Sequence, residues 1–133
     1  MQVSVVRVDF ETAVLEAPLL PNINHRETVF GGSASALAIL AAWALLHTRM
    51  MQEEIQCRLV IQQNTMNYEK PILGAFRARA TLDHPARWEN FLKSLRRHGR
   101  ARLEVSSVLH CEGETVGRLH GRFVALAENS GMD

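Results

Sequence analysis

Two asparagines, a threonine and a pair of glycines stand directly ahead of the longest uncharged run in the chain. From Pro21 the sequence reads PNINHRETVFGG and then SASALAILAAWALLHTRMM, with no charged residue across 31–48. The first part is rich in hydrogen-bonding side chains: Asn22, Asn24, His25 and Thr28. The second part is small and apolar, which predicts a helix over residues 30–51 with Thr28 as its cap. A helix start leaves backbone N–H groups unpaired and carries the positive end of a dipole. Such a mouth suits an oxygen that becomes negative during a reaction. Gly31 and Gly32 lie at this point.

The elements that position the mouth follow from the rest of the pattern. With 133 residues the chain reads as one domain, 1–133. A chain of this size buries about 68% of its unfolded surface, enough for a core without disulfides. A composition of 47% hydrophobic and 22% charged residues excludes a disordered chain. A net charge of +1 gives no bulk attraction to nucleic acid. Cys57 and Cys111 show no CxxC spacing and read as plain thiols. No metal-ligand spacing, P-loop or dinucleotide-binding glycine pattern is present, so no metal and no resident cofactor is expected. The start of the chain lacks a basic head before an apolar run, and the default expectation is a cytoplasmic protein. The uncharged run is long enough to raise the question of a membrane span. Its Ala and Ser content, and the alternating segments after it, favour a buried core helix instead.

Residues 3–10 are β-branched and predict a first strand, with a helical turn possible over residues 11–15. Residues 55–69 predict a long strand bent near 63–65. Residues 75–82 alternate Arg77 and Arg79 with small apolar residues, which predicts a strand with one wet face. Trp88, Phe91, Leu92 and Leu95 stand at helical spacing, and Gly99 is a stop signal. Residues around 102–107 and 116–126 alternate again, joined by a hairpin at Glu112-Gly113-Glu114. The fold class is α+β: an antiparallel β-sheet wrapped around one long central α-helix.

With these elements in place, the sequence resembles the hot-dog fold of acyl-CoA and acyl carrier protein (ACP) thioesterases, and within it the YiiD C-terminal family. The carrying residues are Pro21-Asn22-Ile23-Asn24, Thr28, Phe30-Gly31-Gly32-Ser33, Trp43, Tyr68 with Lys70-Pro71, and Trp88 with Phe91. The resemblance covers nearly the whole chain. In the related PaaI-type enzymes an Asn precedes a glycine turn at the helix start. Asn24 falls on that Asn and Gly31 on the glycine whose N–H polarises the thioester carbonyl. By resemblance Asn24 and Gly31 are the catalytic pair, and Asn22, Thr28, Phe30, Gly32 and Ser33 contact substrate. Three positions depart from the pattern: Glu27 replaces a glycine, Phe30 a histidine, and Ile39 the helix carboxylate that serves as base or nucleophile.

The last departure bears on the reaction. Hydrolysis needs a group that activates water. Decarboxylation of a malonyl thioester needs a desolvated carboxylate and a stabilised enolate, which an amide and a helix N–H can supply. The residue set therefore leans to malonyl-thioester decarboxylation. The alternatives are hydrolysis with His25 or Glu27 as base, and a non-catalytic acyl-thioester-binding module. Arg87, Arg96, Arg97 and Arg100 are candidates for CoA phosphates or the acidic surface of ACP; an ordinary solvated face is the competing reading. The resemblance implies a homodimer or a dimer of dimers in fatty-acid metabolism, with acyl-ACP or acyl-CoA as substrate and neither nucleic acid nor membrane as partner.

Overall fold

Alternation between apolar and polar side chains builds the centre of the sheet from the C-terminal half of the chain. The computed structural model describes residues 1–19 and 31–128. Strand β4 (Phe76–Leu82) buries every second residue, and so does β5 (Arg100–Cys111). The last strand, β6 (Glu114–Ala127), joins β5 through a two-residue turn. Both turn residues take positive φ, Glu112 at 52° and Gly113 at 81°, which suits the right-handed twist of the flanking strands. The other elements are β1 (Ser4–Val8), β2 (Ala13–Ala17), α1 (Gly31–Gln52), β3 (Cys57–Tyr68) and α2 (Trp88–His98). A 3₁₀ turn over Pro85–Arg87 leads into α2, and Gly99 ends it by donating its N–H to the Leu95 carbonyl at 2.9 Å.

The sheet runs β1-β2-β4-β5-β6-β3, and all its pairings are antiparallel. Helix α1 lies on one face, in contact with all six strands. Its small side chains, Ala34, Ala38, Ala41 and Ala42, are fully buried and let the strands approach closely. Ser107 of β5 is buried as well, and its hydroxyl donates to the Ala38 carbonyl at 2.7 Å. The α+β class and the sheet around one long helix are as the sequence predicts.

Two local expectations are corrected. Residues 11–15 are not a helical turn: β2 begins at Ala13 and pairs with β1 as a hairpin. Asp9 supplies the reason. Its carboxylate accepts the N–H groups of Glu11 and Thr12, each at 2.9 Å, and the Arg7 Nε–H at 2.7 Å. An aspartate that folds the backbone back in this way makes a turn without glycine or proline. These bonds, the Thr12 N–H foremost, hold the Asp9 carboxyl below its ordinary pKa. The strand predicted over residues 3–10 ends at Val8 for the same reason.

The second correction concerns α1, which is not covered on all sides within one chain. Ala36, Leu40, Trp43, His47 and Met51 form an exposed row along it. By length and composition α1 is apolar enough to cross a membrane, yet half of it is buried inside the fold. A single sheet covers one side of a helix; the other side stays open.

Near its C-terminus α1 carries a buried cation. Arg49 is 5% exposed, and its guanidinium lies between the rings of Phe10 at 3.7 Å and Trp88 at 4.2 Å. One terminal nitrogen donates to the Phe10 carbonyl, while Nε has no partner among the described residues. Burial lowers its pKa, against the attraction of Glu53 and Glu11. The Trp88 indole N–H donates to Glu53 at 2.9 Å, which ties α2 to the end of α1. The negative end of the α1 dipole and two aromatic faces compensate a charge that would otherwise resist burial.

Candidate active site at the start of the central helix

Gly31 is the first residue of α1, and no acidic residue occurs in the first turn. The N–H groups of this turn have no acceptor within the helix. Among the described residues Tyr68 reaches the mouth from the sheet, its hydroxyl donating to the Gly31 carbonyl at 3.0 Å. A Cβ placed on Gly31 would lie 3.6 Å from the Tyr68 ring, an ordinary contact. Tyr68 ends β3 opposite Gly117 of β6. A Cβ at Gly117 would stand 3.1 Å from the Asn67 carbonyl oxygen, so glycine lets the end of β3 approach. Two exposed ion pairs hold the same end of the sheet, Lys70–Glu114 at 2.6 Å and Arg118–Glu69 at 2.8 Å. Their hydrogen bond raises the Lys70 pKa and lowers that of Glu114. Such exposed pairs orient the rim more than they stabilise the fold.

The predicted site residues divide between described and undescribed positions. Gly31, Gly32 and Ser33 are together at the mouth, with Gly32 exposed and the other two half-buried. Asn22, Asn24, His25, Glu27, Thr28 and Phe30 lie outside the described residues. Ser35 satisfies itself on the Gly32 carbonyl at 3.2 Å. Ile39 is half-buried on α1, and no Asp or Glu occurs anywhere between Gly31 and Gln52. His47 stacks on Trp43 with ring centroids 4.6 Å apart.

The four basic candidates lie elsewhere on the chain. Arg87 and Arg100 line one groove with His98 and Arg102. Arg96 and Arg97 line another beside Gly99 and Ala127. Both grooves border α2, which sits at the C-terminal end of α1. That end is about 33 Å from the mouth, given ~1.5 Å per helical residue. Tyr68 is the residue whose place at the mouth the sequence pattern did not assign. A signal existed in Gly117, its partner across the ladder, but register is needed to read it.

A six-stranded antiparallel sheet packed over one long helix, with the helix N-terminus at the sheet edge, is a hot-dog fold. The chain belongs to the family described as "Putative thioesterase (yiiD_Cterm)", which it matches over residues 1–127. Among solved structures it is similar to a protein of unknown function from Chlorobaculum tepidum, with 28% identity and a TM-score of 0.90 over 96% of this chain and 84% of that one. A Shewanella oneidensis protein described as a putative thioesterase has 22% identity and a TM-score of 0.84, covering 95% of this chain and 85% of that one. A Pseudomonas aeruginosa protein described as a probable thioesterase has 21% identity and a TM-score of 0.83, covering 95% and 83%. At these last two identities the likeness is one of fold. No curated protein matches the chain.

Proposed function

We propose that the chain acts on an acyl thioester at the mouth of α1, and that its reaction is the decarboxylation of a malonyl thioester. The observation that carries this reading is the missing carboxylate: α1 has no Asp or Glu along its 22 residues. Water therefore has no helix-borne base. In decarboxylation the C–C bond to the carboxylate breaks and its electron pair moves onto the thioester as an enolate. The Gly31 N–H and the Asn24 amide would hold the enolate oxygen. A proton from solvent then gives the acetyl thioester, with CO2 as the other product. Hydrolysis is the second reading, favoured by the family, with His25 or Glu27 as the base. The test is a mass-spectrometric panel with malonyl-ACP and malonyl-CoA. The expected products are acetyl thioester and CO2. Free thiol with malonate would establish hydrolysis instead, and binding without turnover would indicate a sensor.

The second part of the proposal is the partner that covers α1: another copy of this chain. Strand β3 is the edge of the sheet, and from Leu59 to Tyr68 it carries no charge and no proline. Edges lacking such protection invite a further strand. The exposed Leu40 and Trp43 of α1 supply apolar surface in the same subunit. Antiparallel pairing of β3 with itself would set the partner's Cys57 end beside Tyr68. The partner's Arg100 strand then lies three strand spacings from the mouth, roughly 15 Å. This would bring basic residues to a carrier-borne substrate that one chain keeps at the far end. Light scattering is expected to give twice the 14.9 kDa chain mass. Trp43→Lys should return a monomer; an unchanged dimer would place the interface elsewhere.

A further inference from the structure

The outer face of the sheet carries a second chemical cluster, opposite the face that holds α1. Asp83 follows β4 and lies beside Glu104 of β5, to whose carbonyl its N–H donates at 3.1 Å. His120 of β6 is opposite Ser106, one position along the same face. The His120 Nε2 is 2.9 Å from an Asp83 oxygen and 3.4 Å from a Glu104 oxygen. His84 adds its Nε2 at 3.6 Å from the other Glu104 oxygen. The second Asp83 oxygen accepts the Ser106 hydroxyl at 2.5 Å.

Facing carboxylates on neighbouring strands repel, so a cation belongs between them. Arg122 is opposite Glu104 in register, yet Arg122 forms no ion pair with it among the described residues. Among the described residues the cationic groups paired with the two carboxylates are the histidines His84 and His120. A tetrahedral ion with bonds of about 2.0–2.2 Å separates its ligands by roughly 3.4 Å. The 3.4 Å separation matches that edge, and the 2.9 Å pair needs to open by about 0.5 Å to admit the ion.

We propose that Asp83, Glu104 and His120 bind a divalent transition metal of the zinc class, with water completing its shell. Imidazole and carboxylate donors without thiolate suit zinc and cobalt(II). A metal takes the lone pair of the His120 Nε2, so binding requires that nitrogen to carry no proton. Ser106 fixes the orientation of Asp83 from behind, as outer-shell donors do in metal sites. Beside the cluster a cavity of about 270 Å³, lined by His84, Glu104, Arg87, Arg102 and Arg122, leaves room for water or a small anion on the ion. No linear spacing betrays the site, because its ligands come from β5, β6 and the segment after β4.

The experiment is titration of tag-free, full-length protein with zinc by calorimetry and with cobalt(II) by visible absorption. One ion per chain is expected, with the absorption bands of a tetrahedral cobalt site. His120→Ala and Glu104→Gln should abolish binding. Ser106→Ala should weaken it by about 10- to 100-fold. His110→Ala, on the same sheet face but outside the cluster, should leave it unchanged. Wild-type protein that binds no zinc, or binding undiminished in both His120→Ala and Glu104→Gln, overturns the proposal.

Discussion

Gly31→Pro is expected to lower turnover of the thioester substrate by about 10²- to 10³-fold while the chain stays folded. The substitution removes one hydrogen-bond donor and also restricts the backbone of the residue before it. Gly31 is the first residue of α1, where proline is tolerated because the N–H has no partner within the helix. Among the described residues the nearest atoms to a Cβ there belong to Tyr68, at an ordinary 3.6 Å. Gly31→Ala is the companion variant. It keeps the N–H and should retain turnover near that of the wild type. Steady-state rates and a melting curve for both variants separate loss of the donor from loss of structure. Equal rates in Gly31→Pro and wild type would remove the helix N–H from the reaction.

Phe123→Ala should cost about 3–5 kcal/mol of folding stability. That is a large share of the roughly 5–15 kcal/mol that holds a domain of this size. Phe123 is 2% exposed on the inner face of β6, opposite Ile61 of β3 and Leu103 of β5. Its ring leans over Gly121, whose imagined Cβ would be 3.3 Å from the Phe123 Cε1. The Gly121 position has no side chain because the ring fills that space. Gly121→Ala alone should therefore destabilise, since the ring must shift. In the Phe123→Ala background the same methyl enters the vacated volume, with Ile61 at an ordinary 3.5 Å. The pair is expected to be non-additive, with the second change milder than it is alone. Urea denaturation of the two single variants and the double variant measures this; strict additivity would refute the packing argument.

The fold was legible in the sequence where side-chain period alone decides it. Alternation in β4, β5 and β6 and the helical spacing of Trp88, Phe91, Leu92 and Leu95 read directly onto the structure. The β1–β2 hairpin did not, because a carboxylate rather than glycine or proline makes its turn: Asp9 binds two backbone N–H groups. The exposed row on α1 was equally hidden, since Ala36 and Ala38 look alike until the sheet covers one of them. At the candidate site, Gly31 was marked by its place before an apolar run. Tyr68 was not placed there, because its approach depends on the register between β3 and β6. The Asp83, Glu104 and His120 cluster is legible only after three strands are aligned.

The order of strands has a consequence for how the chain is made. The centre of the sheet, β4-β5-β6, is continuous in sequence, while β1-β2 and β3 dock on its two sides. Every residue of α1 therefore leaves the ribosome before the strands that bury most of it. At synthesis rates of about 5–20 residues per second, its apolar face waits several seconds for β4, β5 and β6. During that interval a helix bearing Leu37, Leu45 and Leu46, with Arg49 as its one charged residue, has only the β1–β2 hairpin available to cover it. Burial of the helix is completed only when the C-terminal hairpin of β5 and β6 has formed.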